Sequence, residues 1–381
     1  MLGMHFMKDV PFKEIYIHAL VRDEKGQKMS KSKGNVMDPL DISKKYGADA
    51  LRFTLAAMAA QGRDVKLSES RIAGYRNFST KIWNAGKFLE INNCKLNNKF
   101  ESKSLKQNIN IWIVKQLEIT INKVDHGLKS YRFNDAADAI YKFIWNTYCD
   151  WYLELIKPSF FNENNSQDLK ETKETACWVL FQANNLLNPF MPFITESLNK
   201  ELFNSEKMQI NQEWPKIKYK VKTDEANLEV SFLISLLSEI RSIKSVLNIP
   251  NNISPTLLLK NLNKQQICYI EKYSENIIKI AKLDKCEVIE FDFPHGSAQG
   301  LVEGVLIALP LKGLINLDDE KNRLEKEMIK INSEIQKLQN KLNNENFVNK
   351  APIEVVDGIK ERLSEYQGNR TSLLEAMNRL I

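Results

Sequence analysis

Long apolar runs are absent from the 381-residue sequence, which limits where the protein can reside. A membrane-spanning helix needs about 18 or more consecutive apolar residues, and no stretch approaches that length. The first residues are interrupted by Lys8, Asp9 and Pro11 and therefore lack the apolar core of a signal peptide. We expect a cytoplasmic protein that does not bind a membrane.

Cysteine and histidine are also scarce, with five and four residues respectively. The cysteines lie far apart without a Cys-x-x-Cys pair, so they form neither a zinc-ligand pattern nor an evident disulfide framework. Their odd number fits a reducing compartment, in which most of them would be buried structural thiols. The sequence therefore predicts no metal site.

Charge is abundant but nearly balanced, with 54 Lys and Arg residues against 48 Asp and Glu and a net charge of +6. This balance favours an anionic partner only weakly. A Walker A phosphate loop is absent, so a nucleotide site would need other residues. The length leaves room for about two to three domains.

The most informative stretch is the loop 28–35, in which three lysines, two serines and a glycine occur within eight residues. Ammonium groups, hydroxyls and close backbone amides are suited to binding a polyphosphate, and a glycine permits a tight bend. A solvated basic turn is the ordinary alternative for a lysine-rich loop. The flanking sequence decides between the two interpretations.

The loop is predicted to lie between a strand and a capped helix. Segment 14–21 has the β-branched and aromatic content of a buried strand. Asp38 is placed to cap a helix whose first position is Pro39 and which is expected to end near Gly47. A second helix is predicted over 49–60. Rigid elements on both sides are a common setting for a functional loop.

These flanks carry a resemblance to the class I aminoacyl-tRNA synthetases, and within them to the valyl-tRNA synthetase family. Residues 28–32, KMSKS, match a signature of that class without a change. Further runs resemble the valine branch in the same order, namely Val10-Pro11-Phe12, Tyr16-Ile17-His18, Leu20-Val21-Arg22-Asp23, Asp38-Pro39-Leu40-Asp41 and Tyr46-Gly47-Ala48-Asp49-Ala50-Leu51-Arg52-Phe53. The resemblance implies the end of a Rossmann-type catalytic domain.

The resemblance implies that the loop serves ATP during adenylation, when the carboxylate of valine attacks the α-phosphate and pyrophosphate leaves. Negative charge builds on the pyrophosphate, so a positioned ammonium group acts mainly in the transition state. Lys31 is the expected catalytic residue, and ATP with Mg²⁺ is the expected cofactor. The residues expected to bind ATP are Lys28, Met29, Ser30, Lys31 and Ser32.

A second signature of the class, a His-x-Gly-His stretch, is absent, because none of the four histidines lies in that pattern. The family's valine pocket and editing domain would both precede residue 1. The editing domain exists because a hydrophobic pocket rejects threonine poorly. We therefore expect this chain to be the C-terminal part of the ligase, to be inactive on its own, and to meet ATP and valine only together with the N-terminal part.

From residue 68 to about 244 the apolar spacing is helical, and about five to six helices are predicted to form a bundle with its own core. The bundle resembles the anticodon-binding domain of the valine, isoleucine, leucine and methionine enzymes. The runs that carry this resemblance are Arg76-Asn77-Phe78, Trp83-Asn84-Ala85, Cys149-Asp150-Trp151-Tyr152-Leu153-Glu154 and Asn188-Pro189-Phe190-Met191-Pro192-Phe193-Ile194-Thr195-Glu196.

Within this bundle, Arg76 and Arg132 are candidate contacts to tRNA. Tyr131 and Phe133 flank Arg132 at a helix junction and are candidates for base stacking. Core packing is the alternative for these aromatic residues.

The segment after the bundle has a different texture. Strands predicted at 256–259 and 287–291 surround a helix near 264–281. The run 301–310 adds one or two more strands, interrupted by Gly304. A small α+β connector fits this pattern.

The last segment has the seam of a coiled coil, with apolar residues spaced alternately by four and three over 324–342 and again over 356–380. A short break containing Pro352 predicts an antiparallel hairpin with arms of about 40 Å, in which Arg370 takes one seam position. The hairpin resembles the C-terminal arm of the valyl-tRNA synthetase family, which holds tRNA. Its candidate tRNA contacts are Lys321, Arg323, Lys326, Lys330, Lys337 and Arg370.

The sequence thus predicts a mainly α protein with four parts. These are the end of a class I catalytic domain with the KMSKS loop (1–64), a helical anticodon-binding domain (65–248), a small α+β connector (249–316) and an antiparallel coiled-coil tRNA-binding arm (317–381). The expected function is that of a valine–tRNA ligase, acting as a monomer on tRNA(Val). The alternatives are a tRNA-binding module without ligase activity and a coiled-coil scaffold, which leaves the lysine loop without a role.

Overall fold

The computed structural model describes residues 1–97, 99–160, 167–217, 223–250, 252–311, 317–343 and 353–379. The chain divides into two compact units, Met1–Asn227 and Leu228–Ile381. Both are mostly helical with small sheets, which confirms the mainly α prediction. In the described residues no helix is both long enough and apolar enough to cross a membrane.

The first unit is built on a series of helices that begin after the lysine loop. A π-helical segment, Phe143–Leu153, continues the fifth helix into the sixth. The helices are α1 (Pro39–Tyr46), α2 (Ala48–Met58), α3 (Glu69–Ile91), α4 (Asn108–Lys129), α5 (Phe133–Lys142), α6 (Glu154–Phe160), α7 (Gln167–Leu187) and α8 (Pro192–Glu201).

Helices α1 and α2 form as the sequence predicts. The Asp38 carboxylate accepts a hydrogen bond from the Leu40 N–H at 2.8 Å, and Pro39 occupies the first helical position. Gly47 has a φ of +90°, which ends α1 and lets α2 start in a new direction. Phe53 of α2 is fully buried among aromatic rings of the bundle. This packing fixes the two helices against the bundle.

The buried strand predicted over 14–21 is wrong. Only β1 (Val21–Arg22) forms, and it pairs in parallel with β2 (Val65–Lys66). Ile15 and Ile17 are 88% and 83% exposed. Within the described part of the first unit no other strand lies beside this segment, so its backbone has no ladder to join. A β-like composition forms a strand only where a partner strand is present.

The second unit begins within α9 (Asp224–Val246). It contains α10 (Lys264–Ala281) and the strands β3 (Leu257–Lys260), β4 (Cys286–Val288), β5 (Ser297–Val302) and β6 (Val305–Pro310). The strands form one sheet in the order β4-β3-β6-β5. A capping box starts α10: the Asn263 side chain accepts from the Gln266 N–H, and the Gln266 side chain accepts from the Asn263 N–H. This region therefore contains both strands and a helix.

Two long helices, α11 (Leu317–Leu342) and α12 (Ile353–Arg379), pack against each other at the end of the chain. The seam residues Leu324, Ile335 and Leu338 are buried, as the heptad spacing predicts. Arg370, which was expected in the seam, is exposed. The predicted turn, including 344–352, lies outside the described residues.

Candidate functional site

The lysine loop has a defined backbone path. Ser30 is extended, and Lys31–Lys33 form one turn of 3₁₀ helix. Gly34 follows with a φ of +65° and donates its N–H to the Lys31 carbonyl at 3.2 Å. A side chain at this position would be strained, because this backbone region favours glycine. The turn presents its side chains outward.

Asn35 ties both ends of the loop together. Its amide oxygen accepts from the Ser30 N–H at 2.9 Å, and its Nδ2 donates to the Lys28 carbonyl at 3.3 Å. The same nitrogen donates to the Asp23 carboxylate at 2.8 Å. Asp23 also accepts from the Gln27 N–H at 2.7 Å. We call this set, Asp23 and Asn35 with their backbone partners, the loop clasp.

The clasp favours the ionised form of Asp23. The hydrogen bond from Asn35, and next the one from the Gln27 N–H, lower the pKa of Asp23 below its ordinary value of 3.8. The contribution to loop order is therefore fully present above that ordinary value and is lost as the pH falls through the lowered pKa. Asn35 belongs to the loop 28–35, but the sequence does not indicate that its side chain binds Asp23.

We expect Asn35→Ala to loosen the loop while leaving the helices intact. The substitution removes the acceptor for Ser30 and the donor to Asp23, so that only the short turn holds the lysines. Trypsin cleavage after Lys28, Lys31 and Lys33, followed by mass spectrometry, is expected to accelerate by about tenfold, the equivalent of about 1.4 kcal/mol of local opening.

The matched control exchanges the two partners, as Asp23→Asn together with Asn35→Asp. This pair can still join the side chains by a hydrogen bond and can still accept from Ser30 and Gln27. Cleavage in the exchanged variant is expected to approach the unaltered rate. Equal cleavage of the unaltered chain and Asn35→Ala would show that the clasp does not order the loop.

The loop presents three cations to solvent. Lys28, Lys31 and Lys33 are exposed, and in the described ranges none of them has an ion-pair partner. The Ser30 and Ser32 hydroxyl oxygens lie 3.2 Å apart beside them. Three unpaired ammonium groups with neighbouring hydroxyls form a cradle that suits an anion with several oxygens.

A small apolar cluster supports the loop from below. Met29 packs against buried Ile42, Ala50 and Ile72, so the middle of the KMSKS run is anchored in α1, α2 and α3. The side chain of Met29 is thus a packing contact, while its neighbours point outward.

The helices under the loop are joined to the bundle through Asp49. Its carboxylate accepts from the N–H groups of Phe193 at 3.2 Å and Ile194 at 2.7 Å, which lie in the first turn of α8. Arg52 adds a hydrogen bond from its guanidinium to the Pro189 carbonyl at 3.0 Å. These contacts connect the loop's platform to the helical bundle across about 140 residues of sequence.

We expect Asp49→Ala to lower the free energy of unfolding of the first unit by about 1–2 kcal/mol, because two N–H groups at the start of α8 lose their acceptor. Asp49→Asn keeps one acceptor oxygen and is expected to lose less. All six tryptophans lie before residue 228, so tryptophan fluorescence in a urea titration reports this unit alone.

The pH dependence of the Asp49 contribution follows from its burial. Burial raises the pKa of Asp49 above its ordinary value of 3.8, and the two backbone hydrogen bonds only partly offset this effect. The group therefore contributes stability that is fully present below the ordinary value and is lost as the pH rises through the raised pKa. A stability difference between Asp49 and Asp49→Asn that does not change with pH would contradict this assignment.

The candidate tRNA contacts lie on both units. Arg76 is exposed on α3, whereas Arg132 pairs with Asp135 at 2.7 Å. On α11, Lys326 and Lys330 are exposed, and Lys337 pairs with Glu334 at 2.6 Å. Within the first unit, no described hydrogen bond or ion pair joins Arg76 or Arg132 to the lysine loop.

Two other candidates on the arm differ from these. Arg323 is only partly exposed and pairs with Glu327 at 2.6 Å. The side chain of Lys321 lies outside the described residues. Arg323 therefore faces neighbouring structure, which the sequence pattern did not indicate.

The aromatic residues at the junction of α4 and α5 pack against the N-terminal segment. The Tyr16 ring lies 5.9 Å from the ring of Tyr131 and 5.4 Å from that of Phe133, measured between centroids. The Tyr131 hydroxyl also donates to the Glu14 carboxylate. Packing, the alternative to base stacking, accounts for these contacts.

Three of the five cysteines are buried in the first unit. Cys94, Cys149 and Cys177 are buried, and burial raises the pKa of these thiols to about 11, about 12 and about 12. A raised pKa leaves the thiol protonated and unreactive at neutral pH. Among the residues with described positions, no group of three or more His, Cys, Asp or Glu side chains could hold a metal ion.

Three family models match successive parts of the chain. Residues 1–68 match "tRNA synthetases class I (I, L, M and V)", and residues 110–259 match "Anticodon-binding domain of tRNA ligase". Residues 316–381 match "Valyl tRNA synthetase tRNA binding arm". The order of these matches along the chain is the order of the loop, the bundle and the paired helices.

Two relatives extend the similarity over the whole chain. A valine–tRNA ligase of Bradyrhizobium diazoefficiens is 42% identical over 414 residues, covering 100% of this chain and 43% of the relative. One of Mesorhizobium japonicum is 42% identical over 384 residues, covering 100% and 41%. The chain thus spans about two fifths of the length of these relatives.

Proposed function

The chain belongs to the valine–tRNA ligase family, and we propose that it supplies the KMSKS loop and the tRNA-binding surfaces of an enzyme that activates valine with ATP and transfers it to tRNA(Val). The observation that carries this proposal is the loop 28–35, in which three solvent-facing lysines stand on a clasped and packed turn. Three ammonium groups without an ion-pair partner in the described residues favour an anionic ligand.

In the proposed first step a valine carboxylate oxygen bonds to the α-phosphorus of ATP, the bond to the bridging oxygen of the β-phosphate breaks, and pyrophosphate leaves. The charge on the leaving oxygens grows as that bond lengthens. The Lys31 ammonium, helped by Lys28, stabilises this charge, and the hydroxyls of Ser30 and Ser32 donate hydrogen bonds to phosphate oxygens. Met29 keeps the loop seated on the platform.

The loop residues fit a polyphosphate, because ammonium and hydroxyl groups are its natural partners and Gly34 leaves space above the turn. Mg²⁺ would neutralise phosphate charge and would be held mainly by ATP itself. The loop offers lysines and serines, which are not carboxylate ligands for this ion.

The proposed division of labour follows the parts predicted from sequence. Residues 1–64 contribute the end of a Rossmann-type catalytic domain, 65–248 bind the anticodon part of tRNA(Val), and 249–316 connect this bundle to an antiparallel coiled-coil arm at 317–381. The matches to the anticodon-binding and tRNA-binding-arm models support this division. The arm's expected tRNA contacts remain Lys326, Lys330, Lys337 and Arg370. We further propose that the protein is a cytoplasmic monomer.

Binding of tRNA by the chain itself tests the proposal. A filter-binding titration at about 100 mM salt compares tRNA(Val) with a tRNA of equal length that carries another anticodon. Preferential binding of tRNA(Val) is expected. Failure of a folded chain to bind any tRNA at low salt would contradict the proposed function.

A tRNA-binding module without ligase activity is the second candidate. It is favoured by the matches of residues 110–259 and 316–381 to the anticodon-binding and tRNA-binding-arm models, which concern tRNA binding alone. Both candidates predict tRNA binding, but only the ligase gives the loop 28–35 a nucleotide to bind. Adenylation in a completed enzyme separates them, as described in the Discussion.

A further inference from the structure

A second basic site lies in the other unit, at a cavity of about 530 Å³ where the end of α9 meets the end of α10. Its lining residues belong neither to the lysine loop nor to α11 and α12. Its described lining residues are Arg241, Lys244, Ser245, Asn248, Ile249, Pro250, Ile280, Ala281 and Lys282.

The charge of this lining is one-sided. Arg241, Lys244 and Lys282 are cations, and Ser245 and Asn248 add polar groups that can donate hydrogen bonds. No carboxylate occurs among the described lining residues. Cationic side chains and hydrogen-bond donors around one cavity suit an anionic ligand.

Lys244 fixes the geometry of the cavity. Its ammonium donates to the carbonyls of Ala281 and Lys282, both at 3.0 Å, and to that of Ile253 at 3.4 Å. The Ala281 and Lys282 carbonyls lie at the C-terminus of α10, where a cation is favourable. Burial, and next the charge of Lys282, lower the pKa of Lys244. Since its donors are used, Lys244 acts as a positioning residue.

Lys282 is held at the rim by this arrangement. It ends α10 in a left-handed conformation with a φ of +50°, and its carbonyl is bound by Lys244. Its side chain is exposed, and no ion pair to it is found in the described part of the chain. Arg241 is exposed on the α9 side of the same cavity.

A fourth cation approaches from α11. The Asn248 amide oxygen, turned toward Arg323, lies 3.2 and 3.3 Å from the two guanidinium nitrogens. Arg323 also donates to the Val246 carbonyl at 3.4 Å. The first turns of α11 are therefore attached to the wall of the cavity, although Glu327 balances the Arg323 charge.

We propose that this cavity binds a backbone phosphate of the tRNA, with Arg241 and Lys282 as the contacts and Lys244 as the residue that positions Lys282. The inference rests on the proposed function, because it assigns a further contact to the same RNA partner. Six of the nine described lining residues lie within the segment that matches the anticodon-binding model, among them Arg241 and Lys244. An open rim with exposed cations suits a phosphodiester that arrives on a large ligand.

The test measures tRNA affinity as a function of salt for the full chain and for Arg241→Gln, Lys282→Gln and the double variant. Each neutralised phosphate contributes about 0.9 to the slope of log K against log salt, so the double variant is expected to lower the slope by about 0.9 and the affinity by about eightfold at about 100 mM salt, and each single variant by part of these amounts. The loss is expected to be equal for tRNA(Val) and for a tRNA with another anticodon.

Lys264→Gln is the matched control. Lys264 is exposed in the first turn of the same helix. It lies about 26 Å from the cavity end of α10, beyond the screening length of about 10 Å. Its slope and affinity are expected to be unchanged, and the melting temperatures of all variants are expected to match that of the unaltered chain.

Two results would overturn the inference while leaving the proposed function standing. One is tRNA binding with an unchanged slope in both single variants. The other is calorimetric binding of inorganic pyrophosphate that is lost in the double variant while tRNA affinity is not, which would assign the cavity to a small anion. Absence of tRNA binding by the unaltered chain would instead remove the proposed function and this inference together.

Discussion

Replacing Lys31 by Ala is expected to slow valine-dependent adenylation by about 10²–10³-fold when the chain is joined to the part of a relative outside the matched region, because the proposed charge on the leaving group loses a partner. The proposed role of Lys31 comes from its place as the second lysine of the KMSKS run, and the loop geometry is compatible with it. Lys31 begins the 3₁₀ turn, its carbonyl accepts from Gly34, and its exposed side chain has no competing ion pair in the described residues. ATP–pyrophosphate exchange measures the effect.

The control for Lys31 is Lys33→Ala, which removes a charge from the same turn at a position outside the KMSKS run. Lys33→Ala is expected to reduce exchange by less than about tenfold, since a more distant charge is screened by water. Affinity of the Lys31→Ala chain for tRNA(Val) is expected to stay unchanged. Equal exchange rates for Lys31→Ala and the unaltered enzyme would remove Lys31 from the mechanism.

Replacing Asn110 by Ala is expected to lower the free energy of unfolding of the first unit by about 3 kcal/mol. Asn110 is fully buried and links three elements: its Nδ2 donates to Glu171 at 3.0 Å and to Thr172 at 3.1 Å, and its oxygen accepts from the Tyr152 hydroxyl at 2.8 Å. The substitution leaves that fully buried hydroxyl without its acceptor.

Tyr152→Phe separates the two contributions. It removes the hydroxyl together with its need for an acceptor, so it is expected to cost only about 1 kcal/mol. In the double variant the loss is expected to be smaller than the sum of the two single losses, because the partners share one hydrogen bond. Urea unfolding followed by tryptophan fluorescence reports these values for the first unit. Additive losses would show that Asn110 and Tyr152 act independently.

Local sequence signals predicted the helices well. Asp38 with Pro39 marked the start of α1, and the helix expected near 264–281 is α10 with those bounds. These signals depend on contacts within one turn of helix, which a sequence displays directly. The seam of α11 was likewise visible, since heptad spacing records which residues are buried.

Pairing with distant segments was not visible in the same way. Segment 14–21 has strand-like residues, but only Val21 and Arg22 meet a partner, and that partner lies more than 40 residues away. The contact from Asp49 to Phe193 and Ile194 has the same character, because either end alone looks like an ordinary polar or apolar residue. No local pattern records such long-range choices.

The candidate site was predicted in part. The KMSKS run identified the lysines and serines, yet the clasp between Asp23 and Asn35 depends on the turn that brings them together. The basic cavity was missed for a similar reason, since Arg241 and Lys282 lie on different helices. In contrast, Tyr131 and Phe133 were plausible stacking residues by type, but Tyr16 packs against both.

The central claim is that this chain completes a valine-activating enzyme. The most direct measurement is ATP–pyrophosphate exchange by this chain fused to the part of the Bradyrhizobium diazoefficiens relative that lies outside the matched region. We predict that the fusion catalyses exchange that requires valine. We also predict that Lys31→Ala slows this exchange by about 10²–10³-fold. A folded fusion that binds tRNA(Val) but shows no valine-dependent exchange would contradict the claim.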